Sequence, residues 1–249
     1  MRGSSALSSP SALRWPPAPA EVRLAKDEIH LWCAALGDFH EELPRFHSTL
    51  SPDERGLASR LNSCDDRDAF VMRRGILREL LGHYLGRDAA TIEFSYGPFG
   101  KPDVAGIRDD GPLYFNASRS GALVVYAVTS ACPVGVDLER LRPVLELDYI
   151  ASRFFTPLEA SSLMALSPDR QVEGFFLRWT GKEALAKATG EGIGRESHPS
   201  GAWKFQFFQP AAGYVGTLAH RAEGARVLRL RVSNSLLNRR SHHLRMDRQ

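Results

Sequence analysis

The sequence predicts an α+β fold made of two similar α/β halves related by a pseudo-two-fold, each with a long helix packed on a mainly antiparallel sheet. Three observations lead there. A capped helix start occurs twice, in LSPDERGLASRL and in FFTPLEASSLMAL. A long helical run also occurs twice, as DRDAFVMRRGILRELLGHYLG and DRQVEGFFLRWTGKEALAKATG, at an offset of about 105 residues, as a duplicated unit would give. Strand-like runs follow each long helix in groups instead of alternating with helices, which favours helices on antiparallel sheets over βαβ units.

The chain has 249 residues, 43% of them hydrophobic, enough for a sizeable core without covalent staples. Its three cysteines, Cys33, Cys64 and Cys132, show no CxxC spacing, so neither a disulfide framework nor a zinc site is expected and a reducing cytoplasm fits. No apolar run approaches the roughly 20 residues that cross a bilayer, and the N-terminus has no secretory apolar region. The expectation is a soluble, cytoplasmic protein with no membrane partner. The net charge of +3 is a mild basic excess that identifies no partner by itself. A nucleic-acid partner is not expected, because no recognition motif accompanies the basic tail NRRSHHLRMDRQ.

Residues 1–27, rich in Ser, Pro and Ala, read as a poorly ordered extension; an organellar targeting segment is the second reading, since the first twenty residues contain Arg but no acid. The first half is expected over 28–132, the second over 133–233, and a frayed basic tail over 234–249. A strand opens at Glu28-Ile29-His30-Leu31-Trp32. Ser51, Pro52 and Glu54 spell a helix N-cap, first position and capping-box acid, and Thr156, Pro157 and Glu159 repeat them. The long helices are expected over about 66–85 and 171–189, with Gly86 and Gly190 as stops. Strands at 91–96, 113–116 and 122–129 are assigned to the first half, and those at 203–208, 214–219 and 226–232 to the second.

Four stretches carry chemistry. In GVDLER, Asp137 and Glu139 stand two apart on a strand and so share a face; the pair is either a solvated strand end or a site for a hard cation such as Mg²⁺. In RWTGKEALAKATGEGI, Glu183 and Lys187 stand four apart on a helix beside Lys182 and Trp179, an ordinary surface pair or part of a site. FGKPDV sets Lys101 in a Gly-Pro turn. YFNASRSGALVVYAV delivers Asn116, Ser118, Arg119 and Ser120 into a Gly-ended turn that is either a hairpin connection or a phosphate cradle.

FGKP, FNASRSG, GVDLE and FFLRWTGKEALAKATGEGI in this order resemble the motif series of the 4′-phosphopantetheinyl transferases, specifically the surfactin-synthetase-activating type. The resemblance spans residues 51 to 193. It implies a pseudo-dimeric, monomeric chain that moves the phosphopantetheine arm of coenzyme A onto a serine of an apo acyl, peptidyl or polyketide carrier protein and releases 3′,5′-ADP. By the same resemblance Asp137, Glu139 and Glu183 would hold Mg²⁺, with Asp137, Glu183 and Lys187 catalytic. Glu183 would take the serine proton and Lys187 would stabilise the leaving group. Arg74, Lys101, Pro102, Ser118, Arg119, Lys182 and Lys187 would contact coenzyme A.

Two departures from the family pattern stand out. Arg119 replaces a histidine, and could contact phosphate through its bidentate guanidinium without titrating near neutrality. Glu54 and Leu57 occupy positions where relatives carry lysines, with Arg55 and Arg60 as nearby substitutes. The carrier is expected against Arg140, Arg142, Val144, Leu145, Phe154 and Phe155, with Phe155 buried and the arginines exposed. The alternative reading is a homologue that binds coenzyme A or a carrier without catalysis.

Overall fold

The computed structural model describes residues 13–19, 21–105, 111–191 and 202–237. The run EIHLWCAA forms β1 (Glu28–Ala35), buried along its whole length. A 3₁₀ segment over Leu36–Glu42 and α1 (Leu43–Thr49), neither foreseen, lead to α2 (Pro52–Ser59) and α3 (Cys64–Leu85). There follow β2 (Phe94–Tyr96), β3 (Pro102–Val104), β4 (Tyr114–Ser120), β5 (Leu123–Thr129) and β6 (Val134–Arg140). Helices α4 (Leu147–Phe154), α5 (Pro157–Met164) and α6 (Pro168–Thr189) precede β7 (Lys204–Phe208), β8 (Tyr214–His220), β9 (Arg226–Arg231) and the short α7 (Asn234–Leu237). Among the described residues, no helix is long and apolar enough to cross a membrane.

Local chemistry explains where the helices start and stop. Ser51 accepts the Glu54 N–H while the Glu54 carboxylate accepts the Ser51 N–H, and Thr156 and Glu159 repeat the exchange at α5. Each cap satisfies backbone donors that a helix start leaves orphaned and is worth about 1 kcal/mol. Helices α3 and α6 end at Gly86 and Gly190, whose φ of 60° and 75° lie where only glycine is unstrained.

The strands form an antiparallel-rich sheet of order β4-β5-β1-β9, a two-stranded β2-β3 hairpin and an antiparallel sheet of order β6-β8-β7. The α+β class follows from this arrangement of helices and mainly antiparallel sheets. Helix α3 and Trp32, Tyr126 and Leu230 bury one face of the four-stranded sheet. Its other face, through Ile29, Leu31 and Val125, packs on Val134, Val136, Leu138 and Leu218 of the three-stranded sheet. Helices α4 to α6 cover the far side.

Three sequence expectations are corrected. The last strand, assigned above to the second half, lies beside β1 and runs parallel to it, Glu28 opposite Arg226. Alternation reveals a strand but not its sheet; here Leu228, Leu230 and Val232 fill the α3-side core. The residues Asn116 to Ser120 lie within β4, and Gly121, with φ 56°, and Ala122 make the turn. The expected strand at 91–96 begins only at Phe94, because Ala89–Thr91 forms a 3₁₀ turn capped by Asp88.

The described part of the N-terminal stretch is packed. Trp15 is buried edge-on to Phe208, 5.5 Å between centroids. Arg14 N–H donates to Pro210 O, and Pro16 O accepts the Arg231 N–H. Val22 is buried in the α3-side core. Residues 1–12, the tail from 238 and the final Gly192 and Ile193 of the last motif lie outside the described residues.

Candidate active site

The seam between the sheets is where β4 and β6 run side by side, joined by side chains. Asn116 Oδ1 accepts the Val136 N–H at 3.0 Å, Ser118 Oγ the Leu138 N–H at 3.3 Å and Ser120 Oγ the Arg140 N–H at 3.0 Å. Residues two apart on a strand face the same way, so three polar side chains of β4 meet three successive outward amides of β6. The same hydroxyls hold the acids. Ser118 Oγ donates to Asp137 Oδ1 at 2.7 Å, and Ser120 Oγ donates to Glu139 Oε2 at 2.7 Å.

Helix α6 approaches this seam because Gly135 has no side chain. A Cβ there would stand 2.0 Å from Ala184 O. The contact, with Ala188 beside it, brings Asp137 within reach of Lys187, whose Nζ donates to Asp137 Oδ1 at 2.6 Å and to Ser118 Oγ at 3.1 Å. Thr180 and Thr217 hydrogen-bond at 2.8 Å in the core and pin the middle of the helix to β8.

Electrostatics set the acids apart from ordinary surface carboxylates. Burial raises the Asp137 pKa, opposed by the charge and hydrogen bond of Lys187 and the Ser118 hydroxyl, while Glu139 raises it further. Burial also raises that of Glu183, reinforced by Asp137 and then opposed by Lys187. Asp137 Oδ2 is buried and has no hydrogen-bond partner among the described residues. An orphaned carboxylate oxygen among mutually repelling acids fits a hard divalent cation. Among the described residues no three ligating side chains are gathered as a metal set, and the Lys187 ammonium is the cation that meets Asp137.

A cleft of about 310 Å³ opens beside these groups, lined by Phe99, Lys101, Pro102, Asn116, Glu183 and Lys187 among others. It joins the GKP turn, β4 and α6. Lys101 sits at its edge with Nζ donating to Ala188 O at 3.0 Å and Val134 O at 3.4 Å, so its ammonium ties the turn to the C-terminus of α6. Burial lowers its pKa, against the charge of Asp103.

The remaining expected contacts are placed as follows. Arg119 is exposed, and its charge acts on Arg73, whose pKa is lowered chiefly by burial; Arg73 was not singled out in the sequence. Arg74 is ion-paired with Glu54, donates to Tyr96 Oη and lies over the Phe94 ring. Glu54 also takes Arg78 Nε at 2.7 Å, and Arg55 donates to Leu50 O. Lys182 is turned to Glu159, 3.1 Å away. Trp179 stacks on Phe175 in the apolar cluster between α4, α5 and α6, as a core anchor would. Phe155 is buried and Arg140 and Arg142 are exposed, as expected.

Sequence reasoning missed how Ser120 and Arg142 act on Glu139. Arg142 Nη1 donates to Glu139 Oε2 at 3.0 Å. The signal was present in the polar residues at the alternate positions 116, 118 and 120 of the strand.

The chain is similar to known proteins of one family. The family model described as the 4′-phosphopantetheinyl transferase superfamily matches residues 133–236. The 4′-phosphopantetheinyl transferase HetI of Nostoc sp. (strain PCC 7120) is 40% identical over 181 residues, 73% of this chain and 76% of that protein. The 4′-phosphopantetheinyl transferase Sfp of Bacillus subtilis (strain 168) is 34% identical over 154 residues, 61% of this chain and 66% of its own. The 4′-phosphopantetheinyl transferase AcpT of Escherichia coli (strain K12) is 36% identical over 113 residues, 45% of this chain and 55% of its own.

Proposed function

Because the chain belongs to the 4′-phosphopantetheinyl transferase superfamily, we propose that it transfers the 4′-phosphopantetheine arm of coenzyme A to a serine of an apo acyl, peptidyl or polyketide carrier protein. The observation that carries this reading is the Lys187–Asp137 ion pair together with the electrostatic coupling of Glu183 to Asp137, Lys187 and Glu139, beside a cleft that Glu183, Lys187 and the GKP turn line.

In the reaction the carrier serine oxygen forms a bond to the β-phosphorus of coenzyme A. The pyrophosphate P–O bond breaks, and 3′,5′-ADP leaves with the bridging oxygen. Glu183 would accept the serine proton; burial and the neighbouring acids raise its pKa, which makes its carboxylate a stronger base than that of a free glutamate. Lys187, one helical turn on, would offer its ammonium to the phosphate oxygen that gains charge. Asp137, Glu139 and Glu183 would hold Mg²⁺, which when bound supplies charge neutralisation and polarisation at the pyrophosphate. The buried, unpartnered Asp137 Oδ2 supports that assignment. Exposed Arg119, whose charge acts on Arg73, supports phosphate recognition by these guanidiniums.

The carrier would dock on the surface of α4 and α5, where Leu145 and Leu158 are 84% and 78% exposed and Tyr149 and Met164 stand beside exposed Arg140, Arg142 and Arg153. Apolar residues rimmed by cations suit an acidic, amphipathic helix. One chain supplies both sides of the site, which supports action as a monomer.

Intact-mass measurement on a panel of apo carriers mixed with the protein, coenzyme A and Mg²⁺ tests the reading. Gain of one phosphopantetheine arm on at least one carrier is expected. No gain on any carrier, with coenzyme A still bound, would establish the alternative of a binding homologue without catalysis.

A further inference from the structure

The two acids of β6 are held in the same way. Asp137 receives one hydroxyl and one cation, Ser118 and Lys187, both on Oδ1. Glu139 likewise receives Ser120 Oγ at 2.7 Å and Arg142 Nη1 at 3.0 Å, both on Oε2. In each case the donors converge on one oxygen, so the other keeps its lone pairs; for Asp137 that oxygen is buried and unpartnered.

Ser120 is 9% exposed, and its hydroxyl both donates and accepts. It donates to the Glu139 carboxylate and accepts the backbone N–H of Arg140, the next residue. One atom of the first sheet thereby holds the carboxylate of Glu139 and the main chain of the adjoining Arg140 in the second. A glutamate side chain has three rotatable bonds, and a ligand that must be ordered at each binding event loses affinity to that entropy. Fixing a carboxylate through a neighbouring hydrogen bond removes the loss.

We propose that Ser120 is a positioning residue that presents Glu139 Oε1 to the divalent cation. It acts through Glu139 and touches neither coenzyme A nor the carrier serine. This rests on the reading of Asp137, Glu139 and Glu183 as Mg²⁺ ligands.

The test uses Ser120→Ala, Ser120→Thr and Glu139→Gln singly, and Ser120→Ala with Glu139→Gln, in the full chain. Mn²⁺ binding is followed by electron paramagnetic resonance without carrier, and the Mg²⁺ concentration at half-maximal transfer is measured separately. Ser120→Ala is expected to weaken Mn²⁺ binding and raise the Mg²⁺ half-saturation by about 10- to 100-fold. At saturating Mg²⁺ it should recover most of kcat with an unchanged carrier KM. Ser120→Thr, which keeps the hydroxyl, should stay near the parent. On the Glu139→Gln background, Ser120→Ala should add little, because its target is already lost. Equal losses on both backgrounds, or an unchanged metal dependence, would overturn the role of Ser120 while leaving the metal reading intact. A parent protein indifferent to Mg²⁺ and Mn²⁺ would overturn the metal reading itself and this role with it. Should Ser120→Ala fail to fold, Ser120→Cys, close in shape but a weak donor, carries the same comparison.

Discussion

Lys187 Nζ lies 2.6 Å from Asp137 Oδ1, closing an ion pair between α6 and β6 within the acidic cluster. The ammonium and a divalent cation would be rivals for that carboxylate. Replacing Lys187 by Met should therefore have two opposite effects. Transfer should fall by about 100-fold or more through loss of charge stabilisation at the leaving phosphate, while Mn²⁺ binding without coenzyme A should tighten severalfold, as read by paramagnetic resonance. Unchanged or weaker Mn²⁺ binding would show that the lysine does not hold the metal's place.

Glu183→Gln should lower kcat by roughly 10²- to 10⁴-fold, the usual reach of a general base, with a circular-dichroism spectrum like the parent's. Its pKa is raised above the ordinary 4.5 by burial and by Asp137 and Glu139. A base must be ionised, so the acid limb of the pH–rate profile should lie above 4.5 and vanish in the variant. The stability sign is opposite. Between the unfolded and folded pKa values the native state holds a proton that the unfolded chain has released, so this carboxyl costs stability as pH rises through that window. Neutralising it should raise the melting temperature of the metal-free protein near neutral pH.

Glu54 has the reverse linkage. Burial pushes its carboxyl up, yet the Arg78 hydrogen bond, the Ser51 N–H and the charges of Arg74 and Arg78 hold it below the usual 4.5. Its contribution is complete above 4.5 and is lost as pH falls through the lower folded value. Glu54→Gln should cost about 3–5 kcal/mol, since it strands the buried Arg78 guanidinium. Urea midpoints across pH check both statements; the variant's curve should have lost the acid-side slope.

Trp15→Ala should cost roughly 3–5 kcal/mol by the usual penalty for emptying a buried aromatic site. Trp15 belongs to the cluster that joins the two sheets, so loosening there should also reach the β4–β6 seam. Calorimetric melting and kcat measured on the same preparation should fall together. Removal without effect on melting would mean that the N-terminal stretch around Trp15 is not part of the cooperative unit.

Leu145→Glu and Leu158→Glu place acid on the exposed face of the α4–α5 region. Both should raise the KM for an acidic carrier several-fold and leave the KM for coenzyme A unchanged, because negative charge added at a docking surface repels the partner without reaching the cleft. Steady-state kinetics with each substrate varied in turn separates the two.

Local signals made the helices legible. Ser51-Pro52 with Glu54 and Thr156-Pro157 with Glu159 state their caps in four letters each, and Gly86 and Gly190 mark their ends. The DxE pair was legible because strand alternation alone puts Asp137 and Glu139 on one face. Pairing between distant strands was not. Nothing in RVLRLRV announces that it lies beside β1, since that choice depends on which core Leu230 fills. Side-chain direction was also hidden: Lys182 and Arg74 satisfy Glu159 and Glu54 at close range, and a local ion pair decides where a long flexible side chain goes. The serines of β4 read as a hairpin connection or a phosphate cradle because their partners, 19 positions onward, became visible only once β6 was set against them.

The parallel placement of β9 against β1 bears on how this polypeptide assembles as it leaves the ribosome. The earliest strand waits for a neighbour made some two hundred residues later, about ten to forty seconds at ordinary elongation speeds. Until then the nascent sheet shows a bare, apolar flank, the kind of edge that invites aggregation. Severing the gene between its halves would therefore yield a leading fragment lacking one of its own strands, and only co-expression of the trailing fragment could supply it.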